Sequence, residues 1–200
     1  MARRPAGAAS GVDGRLLAEA TRLFARQGFD RTSVQEIVEA AGVTKGAMYH
    51  YFGSKDDLLH EIYGRVLREQ TDRLEKIATS EAPTAERLAD AAADVVVSTI
   101  ENLDDVRIFY DSLNHLSPAK QRAVRAERRR YHERFRGIVE EGQRAGAFRA
   151  DVPADLVVDY FFGAIHHLGI WYRRSGSLSA TDVATHYTKL LMSSLEKENR

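Results

Sequence analysis

The sequence predicts an all-α chain: a three-helix head carrying a helix-turn-helix, then a larger helical bundle. Two observations predict it. Along most of the 200 residues the apolar positions recur every three or four, which is the period of an amphipathic helix. Capping residues, glycines and prolines punctuate that pattern at spacings that suit helices joined by short connections. No repeat or low-complexity tract interrupts it. A hydrophobic content of 44% is enough for one compact helical domain plus a small appended one.

In the head, Leu16, Ala20 and Leu23, beside Leu17 and Phe24, form the first apolar stripe. Gly28 stops that helix, and Phe29 is placed to pack back as a core plug. Ser33 with Glu36, or Thr32 with Gln35, gives a capping-box pattern for the next helix. Its buried stripe is Val34, Ile37, Val38 and Ala41. Gly42 ends it, Val43 follows, and Thr44 is the N-cap of a third helix. Two short helices joined by a glycine-containing turn make a helix-turn-helix. Ser54 caps a further helix with Asp57 at its third position.

The stretch "GVTKGAMYHYFGSK" (42–55) shows what the third helix presents. Ala47, Met48 and Phe52 can face inward, which leaves Thr44, Lys45, Tyr49 and His50 outside. Gly46 lets the backbone come close to a large surface. Hydroxyl, ammonium and phenol suit phosphates, while imidazole suits base edges, so the face matches a DNA groove. Lys55 falls near the start of the following helix, where free N–H groups favour phosphate. A packed hairpin with a merely polar surface is the competing reading of the same residues. Residues 1–55 carry eight basic residues against five acidic ones, a mild bias in a chain of formal net charge zero.

Phe24, Gly28, Thr32, Ser33, Val34, Ile37, Ala40, Ala41, Gly42, Val43, Gly46, Tyr49, Phe52, Lys55, Leu58 and Leu59 together resemble the N-terminal domain of the TetR family of transcriptional regulators. The resemblance covers roughly residues 10–70 without gaps and implies a helix-turn-helix at 33–52, a short arm at 1–9 before the head and a larger helical bundle at 71–200. It implies a DNA-binding head and an all-helical C-terminal domain that dimerises and binds an effector. Carried over by position, the DNA contacts fall on Thr32, Ser33, Thr44, Lys45, Gly46, Tyr49, His50 and Lys55. The expected partner is a double-stranded, palindromic operator read by a homodimer, and repression is favoured over activation.

Beyond residue 70, "TSEAPT" (79–84) is a loop and "RLADAAADVVVSTI" an apolar helix. Ser117 and Pro118 open a helix through Tyr131, Phe135 and Ile138 to about Glu141. Pro153 opens a helix expected over Ala154–Arg173, with Tyr160, Ala164, His167 and Trp171 on one face and Phe161, Ile165, Leu168 and Tyr172 beside it. So broad an apolar surface must be covered on more than one side. Ser179 and Asp182 cap the last helix, Ala180–Leu195, whose stripe includes Val183, Tyr187, Leu190 and Leu191. Pairing these two helices with the same two of another subunit gives a two-fold, four-helix interface on Leu168, Val183, Tyr187, Leu190 and Leu191. The last two helices usually dimerise TetR-like proteins, so the resemblance agrees.

An effector pocket is expected among Phe109, Tyr131, Phe135, Phe161, His167 and Trp171, mostly apolar, with Arg128 nearby. "VRIFYDSLNHLSP" and "WYRRSGSLSATDVATHY" resemble the branch of the family that regulates fatty-acid and steroid catabolism, several members of which answer to acyl-CoA thioesters. Arg174 departs from that branch, which often has proline there. The resemblance implies a small hydrophobic effector, an acyl-CoA or another apolar molecule, and gives the basic run Lys120–Arg136 a task as a phosphate site. A ligand-binding dimer without a regulatory role is the competing class.

Enzymatic motifs are missing from the sequence. His166 and His167 are adjacent and point about 100° apart on a helix. His115 and His132 lack HExxH spacing, and there is no GxSxG, P-loop or strand–GxGxxG–helix unit. There is no cysteine, hence no disulfide or thiolate metal site, which suits a reducing cytosol. No cofactor is expected. No apolar run reaches the ~18–20 residues of a membrane span, and no signal-type h-region follows Arg3-Arg4. The expectation is a cytoplasmic protein that is not an enzyme.

Overall fold

A computed structural model describes residues 11–197, apart from the side chains of Phe109 and Tyr110. The arm expected at 1–9 lies outside the described residues. All regular structure within them is helical: α1 Val12–Gln27, α2 Val34–Ala41, α3 Lys45–Tyr51, α4 Lys55–Ala78, α5 Thr84–Glu101, α6 Leu103–Ser112, a 3₁₀ turn Leu113–His115, α7 Pro118–Arg144, α8 Ala154–His166, α9 Leu168–Trp171 and α10 Ala180–Ser194.

The chain forms two compact units, and the division differs from a single cut near residue 70. The first comprises residues up to Val66 together with Asn102–Arg125; the second comprises Leu67–Glu101 and the residues from Ala126 on. Ile108, Leu116 and Val124 are the reason. They are buried in the same core as Leu16, Leu23, Phe24, Ile37, Met48 and Leu58. Sequence periodicity shows that a helix has an apolar face, but not which body that face joins.

Within the first unit, α1 buries Leu16, Leu17, Ala20, Leu23 and Phe24, as its stripe predicts. Gly28 then turns the chain at φ 85, a region that penalises any side chain. Polar contacts reinforce the packing of 102–125 on this core. The Lys120 ammonium lies 2.7 Å from Asp56 Oδ2 and 2.5 Å from Asp57 Oδ1, at the first turn of α4. His115 Nδ1 lies 3.1 Å from Asp30 Oδ1, and its ring is 5.3 Å from that of Phe29.

In the second unit α5 and α10 pack along one another. The half of α5 that makes its interior is Leu88, Ala91, Ala92, Val95 and Val96. Arg87, almost fully buried, donates to the carbonyls of Ala78 (2.8 Å) and Ala82 (3.0 Å) and pairs with Glu141. It thereby satisfies the C-terminal end of α4, where a cation is favoured. Gln143 donates to the carbonyls of Arg149 and Val152, which fixes the connection into α8. The helix expected over 154–173 is divided at His167 into α8 and the single turn α9. The Ser179–Asp182 capping box forms in full.

Candidate functional site

α2 and α3 are built as their sequence suggests. Ser33 Oγ accepts from the Glu36 N–H while the Glu36 carboxylate accepts from the Ser33 N–H (2.8 Å), a reciprocal capping box. Those bonds hold the Glu36 carboxyl below the usual range. Gly42 closes α2 in the left-handed region, φ 64 and ψ 39, which glycine enters without a Cβ penalty. Thr44 Oγ1 accepts from the Ala47 N–H at 3.1 Å and starts α3. Met48 is the one buried residue within α3, at 0% exposure, and Phe52 plugs the end of the helix.

The remaining surface of α3 is open. Thr44, Lys45, Gly46, Tyr49 and His50 are exposed, and Tyr49 reaches 53%. A Cβ on Gly46 would meet nothing nearer than Thr44 Oγ1 at 3.8 Å, so no atom of this chain requires a glycine there. Tyr51, 50% exposed with its ring 5.1 Å from that of His50, belongs to the same end of the helix. It was not among the expected contacts, although three aromatic residues in a row cannot all turn inward on a seven-residue helix.

Three of the residues expected to contact DNA make hydrogen bonds within their own chain. Thr32 is 1% exposed and its hydroxyl donates to the Gly28 carbonyl at 2.8 Å. It is a turn residue, because a buried hydroxyl must find a partner inside. Lys55 is turned inward: Nζ donates to the carbonyls of Phe29 (2.8 Å) and Thr32 (2.9 Å) and lies 4.1 Å from the centre of the Phe29 ring. Partial burial lowers its pKa, against an opposing pull from Asp30. Ser33 is exposed, but its N–H and hydroxyl are both engaged with Glu36.

The expected effector residues do not converge on one opening. Tyr131, Phe135 and Phe161 are buried and brought together, with Phe162 completing the cluster. The Phe135 and Phe161 rings are 5.5 Å apart, and Phe162 meets Tyr131 at 5.9 Å and Phe135 at 5.2 Å. These rings fill their own space. His167 and Trp171 are exposed instead, while Leu168 and Tyr172 beside them are buried. The Phe109 side chain lies outside the described residues.

Arg128 reaches His166, its Nη2 donating to Nε2 at 3.0 Å. His132 stacks on Phe162 with ring centres 4.0 Å apart and stands 6.2 Å from His166. Burial, reinforced by the Arg128 charge, lowers both imidazoles to about 4. They are neutral at pH 7. Beside them a groove of about 280 Å³ is lined by Arg129, His132, Glu133, Arg136, Asp155, Val158 and Asp159. Much of the basic run is paired: Arg130 with Glu127, Arg134 with Glu75, and Arg136 with Asp155 and Glu140.

Leu168, Val183 and Leu191, expected at a subunit interface, are buried in their own subunit, Leu191 at 2% exposure. A side chain already covered gains little from a partner. Tyr187 is half-buried, and Leu190 is exposed at 66%. Leu156, Tyr160, Ile170 and Trp171 are exposed as well, and Leu156, Tyr160 and Gly163 recur at helical spacing on one face of α8. Adjacent stripes of a broadly apolar helix look alike in sequence, so the pattern alone did not separate the covered positions from the exposed ones.

Residues 16–62 match the family model of bacterial regulatory proteins of the tetR family, and residues 81–195 match the tetracyclin repressor-like C-terminal domain. The HTH-type transcriptional repressor KstR2 of Rhodococcus jostii (strain RHA1) is 29% identical over 199 residues, covering 96% of each chain. The ketosteroid transcriptional regulator KstR2 of Mycobacterium tuberculosis superposes with a TM-score of 0.85 at 27% identity, over 98% of this chain and 100% of that one. The TetR family regulator PfmR from Thermus thermophilus does so with a TM-score of 0.83 at 31% identity, over 92% and 100%. Among the described residues no helix is long and apolar enough to cross a membrane. With a capped α2–α3 pair that presents one polar helix face, and with both family models matched, the chain belongs to the TetR family of DNA-binding transcriptional regulators.

Proposed function

We propose that this regulator is a dimeric repressor that reads its operator with α3 and releases it when an apolar effector binds the second unit. The observation that carries the DNA-reading role is the open face of α3. Thr44, Lys45, Gly46, Tyr49, His50 and Tyr51 are exposed on a helix anchored from the other side by Met48. The Thr44 hydroxyl accepts from Ala47 and keeps its proton for a phosphate. Lys45 supplies a phosphate contact and His50 a base contact, while Gly46 admits the DNA backbone. Ser33 assists through its cap.

Dimerisation uses the exposed apolar residues of α8 to α10, namely Leu156, Tyr160, Ile170, Trp171 and Leu190. KstR2 is a ketosteroid regulator, which supports a bulky apolar effector, and the likeness covers nearly the whole chain. Arg128 and Arg129, near the neutral imidazoles, support an anionic portion on that effector. An acyl-CoA thioester combines the two features.

Binding of a duplex selected from a random pool by the wild-type protein tests the reading. Lys45→Ala weakens binding to all sequences and reduces the slope of log affinity against log salt by about one unit. His50→Ala relaxes discrimination at one or two base pairs, each by about 1–3 kcal/mol. Unchanged affinity and salt slope in both variants would remove α3 from the interface.

A further inference from the structure

The helix-turn-helix at 33–52 has two ends, and one ammonium group touches both. Lys55 is the first residue of α4, directly after the Phe52–Ser54 turn that leaves α3. Its Nζ donates to the carbonyls of Phe29 and Thr32, which belong to the turn immediately before Ser33, the N-cap of α2. We propose that Lys55 is a positioning residue for DNA binding, stapling the entry of α2 to the exit of α3 and not contacting phosphate itself.

The turn it holds is built for this. Gly28 at φ 85 reverses the chain after α1. The Thr32 hydroxyl then donates back to the Gly28 carbonyl, and the Thr32 N–H donates to the Phe29 carbonyl at 3.2 Å. Two carbonyls, Phe29 and Thr32, are left converging on one point. A lysine fits it because its ammonium is a compact charge with three rotatable donors. The Phe29 ring, 4.1 Å away and itself 5.1 Å from Phe24, adds a cation–π contact and ties the ammonium to the core. Asp30 supplies the nearby negative charge.

Two charge-assisted hydrogen bonds of 2.8 and 2.9 Å would have to break before this ammonium could turn to a phosphate. The neighbours of Lys55 hold its backbone in place as well. Ser54 and Asp57 bond one another at the start of α4, and Lys120 grips Asp56 and Asp57. Lys55 therefore acts on DNA through the angle at which α2 enters and α3 leaves. Without it the head keeps its apolar core, and the two helices sample geometries that do not fit the groove.

The inference rests on α3 being the DNA-reading helix, so the test has one arm that needs no DNA. In lysine side-chain NMR of the full-length protein, the Lys55 ammonium resonance is identified by its loss in Lys55→Arg. It is expected in free protein, with a nuclear Overhauser effect to the Phe29 ring, and unmoved when the selected duplex is added. The second arm is Lys55→Met, which keeps the stem and removes the charge, measured well below its melting temperature on fully folded protein. If the binding-competent geometry is then populated about a tenth of the time, the dissociation constant rises about tenfold. The salt slope stays that of wild type. A fold defect alone would leave the affinity of the folded fraction intact. Three results overturn the proposal: an ammonium signal with no Phe29 contact in free protein, a salt slope reduced by about one unit, as for a phosphate contact, or an unchanged affinity in Lys55→Met. Should Lys55→Met fail to fold, the free-protein signal and its response to DNA decide the matter.

Discussion

Met48→Ala asks how α3, the proposed reading helix, is held. α3 has seven residues, well short of the ~12–15 an isolated helix needs in water, so its conformation comes from packing. Met48 is fully buried and is the one buried residue inside the helix. Truncating a buried methionine to alanine costs about 2–5 kcal/mol, the lost transfer energy plus the cavity left behind. Taking a value near the middle, ~3 kcal/mol, and the ~2–4 °C per kcal/mol usual for 150–250 residues, the melting temperature should fall by ~6–12 °C. Domains of ordinary stability, ~5–15 kcal/mol, survive that loss, so the variant can be assayed folded. Denaturation followed by far-UV circular dichroism gives the stability, and fluorescence anisotropy on a selected duplex gives the affinity. Both should drop for alanine. Met48→Leu, which nearly conserves volume, should lose less than ~1.5 kcal/mol and keep its affinity. A midpoint shift equivalent to less than ~0.5 kcal/mol, the level of an ordinary surface substitution, together with normal DNA binding, would refute the claim that this side chain anchors α3.

Leu190→Asp combined with Tyr160→Asp places charges on exposed apolar positions and should shift sedimentation toward monomer, whereas Leu191→Asp should unfold the chain because that side chain is buried. An unchanged dimer in the double variant would locate the interface elsewhere. His132 and His166 titrate at about 4 in the folded protein against 6.5 for the free side chain. The unfolded chain thus binds more protons between those values, and stability, complete above about 6.5, is lost as pH falls toward 4. The loss is on the order of 1–2 kcal/mol per ring once solvent screening is allowed for. Urea midpoints at pH 7, 5 and 4 should converge for wild type and His132→Gln relative to their difference at pH 7; parallel curves would contradict the burial of that ring. For the effector, a fatty acyl-CoA should release DNA better than the free acid or CoA alone, and Arg128→Ala with Arg129→Ala should weaken that response while leaving DNA affinity without effector intact. Equal release by the free acid would remove the CoA portion from the proposal.

Much of the head could be read directly from the residues because its signals are local. The Ser33–Glu36 box, Gly42 in the left-handed region and Thr44 as an N-cap each act within about four residues, and each formed as read. Exposure on α3 followed from its length, since Met48 and Phe52 take the inward positions and leave the polar face outside. What the chain could not announce were the contacts made across long separations. Lys55 finds the carbonyls of residues 23 and 26 positions away, so its type and spacing suggested phosphate while its partners lay inside. Ile108, Leu116 and Val124 carry the same periodicity whichever core receives them, and only packing assigned them to the first unit. On α10, Leu190 and Leu191 are neighbours of equal hydrophobicity, yet a rotation of about 100° separates a covered side chain from an exposed one. A hydrophobic pattern dictates that a face will be buried; which face, and against what, is decided by the three-dimensional packing of the helices that compete for it.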